Sequence, residues 1–221
     1  MALTIAENGT YYTPAPAGSY TARCCALLDM GTQTSVWEGE TKTAHKVLMR
    51  FEITDSDTRR ADGTAHVVSK RFTASLHPKS GLRKFLESWR GRPFMPAELH
   101  SFDLKSVLGQ ACMVGVVHEA KSGRTFANLG GAMKLPRVMA PGTSEIEPVA
   151  FDLSAPDWQV FAGLGSRLQE QISAAPEYLA LPNKPKTIAV GARPPAPAAM
   201  PEPPGYASDF APDNAESDIP F

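Results

Sequence analysis

Cations and aromatic rings recur together along the middle of this chain. Lys46 and Arg50 share one face of an alternating segment, and Lys70, Arg71 and Phe72 follow one another directly. Lys121, Arg124 and Phe126 flank a Ser122-Gly123 turn, and Trp37 and Lys42 lie in a polar stretch ahead of Lys46. A groove of ammonium and guanidinium groups neutralises phosphates, while rings stack on unpaired bases, so this pairing of residue types suits a single nucleic-acid strand. These ten residues form the candidate strand-binding set. A different chemistry closes the chain at Asp218-Ile219-Pro220-Phe221. A ring followed by a carboxylate suits an apolar pocket on another protein, rimmed by basic side chains. Asp213, Glu216 and Asp218 would steer the encounter.

Other site chemistry is missing from the pattern. The chain has no GxSxG, P-loop, GxGxxG or HExxH signature, and its five histidines are scattered singly. Asp55 and Asp57 fit turn chemistry better than a metal site, and His118 ends an apolar strand. Cys24, Cys25 and Cys112 make no CxxC or Cys/His spacing, which argues against a zinc site and for buried, reduced thiols. The expectation is a non-enzymatic chain with no cofactor and no metal.

The elements that must hold these residues follow from periodicity. Residues 1–17 read as an arm that Tyr11 and Tyr12 anchor. A first strand covers Ser19 to Leu28, and a polar loop with Trp37 and Gly39 follows. Lys46–Ile53 is a second strand, with Val47, Met49, Phe51 and Ile53 on one face and Lys46, Arg50 and Glu52 on the other. His66–Leu76 reads as a third strand. Leu82, Phe85, Leu86 and Trp89 then fall at i, i+3, i+4 and i+7, predicting a helix over 79–90 that ends at Gly91. Pro96 opens a second short helix. Strands at 111–118 and 125–135 follow, joined by a hairpin.

Five strands with a helix between the third and fourth is the order of an OB-fold. The expected class is mainly β (α+β): a five-stranded OB-fold-like barrel over 18–137, with an inserted helix. An acidic loop and a C-terminal helix, starting at Ser154, occupy 138–181. A disordered Pro/Ala-rich linker is expected over 182–212 and an acidic, partner-binding tip over 213–221.

The charge map agrees with this division. Net charge is −1, yet residues 42–137 carry 17 Lys and Arg against 8 Asp and Glu. From Pro194 onward there is no Lys or Arg and five acidic residues. A basic body with an acidic end implies a polyanion-binding domain and an interaction tail. No apolar run approaches the ~18–20 residues of a membrane span, and the first residues do not read as a signal peptide. A cytoplasmic location without membrane contact is expected.

The ending Asp218-Ile219-Pro220-Phe221, behind an acidic, Pro-rich linker, resembles the C-terminal tip of bacterial single-stranded DNA-binding proteins. The resemblance covers about ten residues and the composition of the linker. The body differs: it lacks that family's opening segment, and the 77–110 insert and the 154–173 helix are additional. In length, order of parts and tail it is similar in plan to phage-encoded, T7-type single-stranded DNA-binding proteins. The resemblance implies a protein that coats single-stranded DNA and recruits replication, recombination and repair proteins through its tip, with homo-oligomers possible. Two rival readings share the tail. One is an interaction factor that mimics the tip to sequester host enzymes; the other is a strand-annealing recombination protein.

Overall fold

Alternating apolar and polar residues build most of this protein as antiparallel sheet. The computed structural model describes residues 13–37, 40–121 and 123–185. The strands are β1 (Gly18–Trp37), β2 (Glu40–Ile53), β3 (Val67–Thr73), β4 (Ala111–Lys121) and β5 (Arg124–Met133), hydrogen-bonded in the order β3-β2-β1-β4-β5. A short β6 (Val149–Phe151) pairs in parallel with β1. Helices α1 (Gly81–Arg90) and α2 (Pro96–His100) lie between β3 and β4, while α3 (Trp158–Ala162), α4 (Ser166–Ser173) and α5 (Pro176–Ala180) follow β6. The class is mainly β with a few helices, within α+β.

Helix α1 forms as its apolar spacing predicts. Leu82, Phe85, Leu86 and Trp89 are all buried, and Gly91 caps the end at φ 66°, a left-handed conformation that lets its N–H reach the last turn's carbonyls. Phe85 and Trp89 meet Phe51 of β2 edge-on at 5.8 and 5.2 Å. The Trp89 indole donates to Ala111 O at 3.1 Å, which ties the helix to the start of β4. These rings, with Met49, Ile53, Val68, Cys112, Val114 and Leu129, make the inner core.

Strand β1 serves two cores because its register slips. Between Cys24 and Ala26 it holds one residue more than its partner β2. Ala22 and Cys24 therefore face the inner core, but beyond the bulge Leu27 faces inward while Ala26, Leu28 and Met30 face the other way. The outward set meets Phe151, Leu153, Phe161, Leu168, Ile172 and Tyr178 in a second core. β6 and α3–α5 thus form a layer across the far face of the sheet.

That layer changes several expectations. The face carrying Lys46, Arg50 and Glu52 is largely covered: Lys46 is 9% exposed and Glu52 is fully buried. The Glu52 carboxylate accepts from the backbone N–H of Glu145 at 2.8 Å and of Ile146 at 3.3 Å, and from the Ser144 hydroxyl. The expected acidic loop is therefore pinned down by hydrogen bonds and runs into β6. The expected long helix is three short ones, broken at 163–165 and at 174–175. Its first cap is Asp157 rather than Ser154, accepting from Gln159 and Val160 N–H.

The barrel expected from the order of elements is not closed. No backbone ladder among the described residues joins β3 to β5, so the sheet is open along those two edges. A side chain crosses the gap, Lys70 Nζ donating to Gly130 O at 3.3 Å, and Ser88 of α1 ties the helix to β5 by donating to Ala132 O at 2.7 Å. The expected polar loop is also mostly strand, since β1 and β2 stay paired out to Trp37 opposite Glu40. Residues 1–12 of the arm, Glu38, Gly39, Ser122, most of the linker and the whole tip lie outside the described residues. Of the arm's described part, Ala15 is buried and its carbonyl meets His118 Nε2 at 2.7 Å.

Candidate functional site

The open seam between β3 and β5 is the mouth of a cleft of about 960 Å³. Leu82, Phe85 and Leu129 give it an apolar floor, with Phe72 beside them. Gln33 to Val36 on β1 line one side, and Val117, Glu119 and Asn128 on the β4–β5 hairpin line the other. Both hairpins run past the strands beside them. β3 pairs with β2 only up to Lys46, and β1 pairs with β4 only up to Val116. The cleft is therefore flanked by two arms.

Four cations line it: Lys46, Lys70, Arg71 and Lys84. Lys46 and Thr73 are register partners, and Lys46 Nζ donates to Thr73 Oγ1 at 2.8 Å. Lys70 leans across the seam, its ammonium 5.9 Å from the centre of the Phe72 ring. Arg71 donates to Gln171 Oε1 of α4 at 2.5 Å. Gln33 Nε2 in turn donates to the Gln171 carbonyl at 3.0 Å. The outer layer thus closes one end of the cleft and orients a guanidinium there. Such a cavity can hold an extended anion with phosphates on the cations and apolar groups on the floor.

No protein-family model matches this chain, and no curated protein matches its sequence.

Of the ten candidate residues, Lys46, Lys70, Arg71 and Phe72 converge on the cleft. Phe72 is only 6% exposed and packs on Phe85 at 4.8 Å between ring centres, so its ring belongs chiefly to the core. Arg50 is half-buried between Ala26 and Ser69 in the register and does not line the cleft. Lys42 is exposed on the same face of β2 as Lys46, nearer the hairpin end, 3.9 Å from the Glu40 carboxylate. Trp37 ends β1. Lys121 and Arg124 are exposed register partners at the end of the β4–β5 hairpin, with Phe126 half-buried one pair inward of Thr125.

Other contributors were not legible as site residues. Gln171 and Val36 carry no charge or motif, and Glu119 has the wrong sign for a phosphate groove. Lys84 lies on the polar face of α1, and the sequence reads Lys79, Arg83, Lys84, Arg90 and Arg92, along and beside that helix, equally as a second basic path or as a solvated face. Ion pairs interrupt that path: Arg83 lies 3.0 Å from Glu87, Arg92 lies 2.7 Å from Glu98, and Arg90 also bonds Glu98. Among the described residues no group of three or more His, Cys, Asp or Glu is placed to hold a metal ion. No helix there is long and apolar enough to cross a membrane.

Proposed function

We propose that this protein binds single-stranded DNA without catalysis, in replication, recombination or repair. It coats exposed strands through the β3–β5 cleft and recruits partners through Asp218, Ile219, Pro220 and Phe221. The observation that carries this reading is the cleft itself: four cations over an apolar floor, between two projecting hairpins. The strand order supports an OB-fold plan, in which a partly open five-stranded sheet binds oligonucleotides on its strand 2–3 face and between its 1–2 and 4–5 loops. The helix between β3 and β4 fits the same plan. A factor that only mimicked the tail would have no need of grouped cations. Lys46, Lys70 and Arg71 of the candidate set line one cavity.

A titration of fluorescent oligo-dT against double-stranded DNA and RNA of equal length tests this. Oligo-dT should bind tightest, and failure to bind it at ~50 mM salt overturns the reading. Lys70→Ala with Lys84→Ala should weaken binding about tenfold or more at low salt. The same change should lower the slope of log K against log salt by about 1.4, as two phosphate contacts are lost.

A further inference from the structure

One wall of the cleft is built unlike the rest. On the face of the β4–β5 hairpin that turns from the core, Val117 stands opposite Asn128, and Glu119 stands opposite Phe126. Of the pair between them, Ala127 points into the inner core. Asn128 Nδ2 donates to Glu119 Oε2 at 2.7 Å, which holds the carboxylate beside the neighbouring pair. Val117 is 51% exposed and Glu119 is exposed, so an apolar chain and an acceptor are presented together, while the half-buried Phe126, paired with Glu119, lies outside the cleft lining. Among the described residues lining the cleft, Glu119 alone is acidic.

A carboxylate repels phosphate, so the backbone of a bound strand runs along the Lys70 and Lys84 side. The hairpin wall is left for the bases. There a carboxylate accepts hydrogen bonds and donates none. The exocyclic N4 amino group of cytosine satisfies it, whereas thymine has the O4 acceptor at that position and its one donor, N3–H, lies between two carbonyl oxygens that repel a carboxylate. We propose that this wall reads the bases of the strand, and that Glu119, positioned by Asn128, selects cytosine over thymine. The inference rests on the strand-binding reading above and adds a specificity residue to it.

The test compares 12-mer oligo-dC and oligo-dT at pH 7.5 and one fixed salt concentration, using the full chain. Wild-type protein should bind oligo-dC about tenfold tighter, the discrimination expected of one good charged contact to a base. Glu119→Ala should bring the ratio near one, chiefly by weakening oligo-dC, while oligo-dT tightens slightly at low salt because a charge that repels phosphate is gone. Glu119→Gln, whose amide also donates, should shift the ratio toward oligo-dT. Lys70→Ala with Lys84→Ala should weaken both oligomers and leave the ratio intact. Equal affinities in the wild type, or a preference that survives Glu119→Ala, overturn the inference alone. Binding of neither oligomer overturns the strand-binding reading and this inference together. Glu119 is exposed, and a circular-dichroism melt of each variant separates loss of recognition from loss of fold.

Discussion

Burial decides what the individual side chains do. Cys24, Cys25 and Cys112 are at most 3% exposed and unpaired. Burial pushes the Cys25 thiol up to about 11 and that of Cys112 to about 12, and raises Cys24 as well. The thiolate is the reactive form, so these groups are inert in the folded protein. At pH 8 a thiol reagent such as dithionitrobenzoate should label none of them in native protein and all three after unfolding in guanidinium; fast labelling of the native chain would contradict their placement. The same logic separates the arginines. Arg90 lies over the Phe94 ring at 4.4 Å while bonding Glu98, so it serves packing rather than a ligand. Arg71 faces the cleft.

At the level of elements, the outer layer is the part on which the site depends without containing it. It is fastened to β1 at Gly31, whose φ of 65° belongs to the left-handed region. A Cβ at this position would fall 2.5 Å from the Ala175 Cβ. Beside it, Glu177 of α5 accepts from Thr32 N–H at 2.9 Å, and His45 lies between Glu177 and Asp29, at 3.4 and 2.7 Å. Gly31→Ala combines backbone strain with overpacking and should cost about 2 kcal/mol or more, read as a lower urea midpoint. Because Gln171 of the same layer orients Arg71, strand affinity should fall with it. An unchanged midpoint would mean that the layer is not seated on β1 in this way.

For the whole molecule, pH stability follows from carboxylates held low by partners. Asp152 drops from an ordinary 3.8 to about 2, chiefly through its bond from Lys105, which links the β3–β4 connection to the outer layer. Glu98 falls from 4.5 to about 2 through Arg92, the Met95 N–H and Arg90. A carboxyl whose folded pKa is depressed stabilises the fold at every pH above its unfolded value. That contribution is lost as pH falls through the folded value. The contribution of these carboxylates should therefore be constant above about pH 5 and decline between about 4.5 and 2. Asp152→Asn should remove part of the decline while lowering stability at neutral pH; a profile identical to wild type would reject the Lys105–Asp152 pair as its source. Strand binding should show the opposite sensitivity, to salt more than to acid, since phosphate neutralisation releases counterions.

How much could be read in advance follows the range of the forces involved. Local periodicity marks the core-facing parts of β2 and β4 and nearly all of α1, and which of their faces are apolar, because side-chain direction repeats every two or 3.6 residues; it misses the polar hairpin ends at 40–45 and 119–121. The stripe Leu82, Phe85, Leu86 and Trp89 and the set Met49, Phe51 and Ile53 are accordingly buried as the spacing requires. The order of elements carries the α+β class, and the cation count marks the middle of the chain as basic. Neither says which cations share a wall. That depends on the slip at Cys25, which turns half of β1 outward. It depends also on the layer that buries Lys46 and Glu52, and on the seam left open between β3 and β5. These are contacts between residues far apart in sequence, with no period to announce them. Only packing in three dimensions brought Lys46, Lys70, Arg71 and Lys84 to one cleft, and set Glu119 among them.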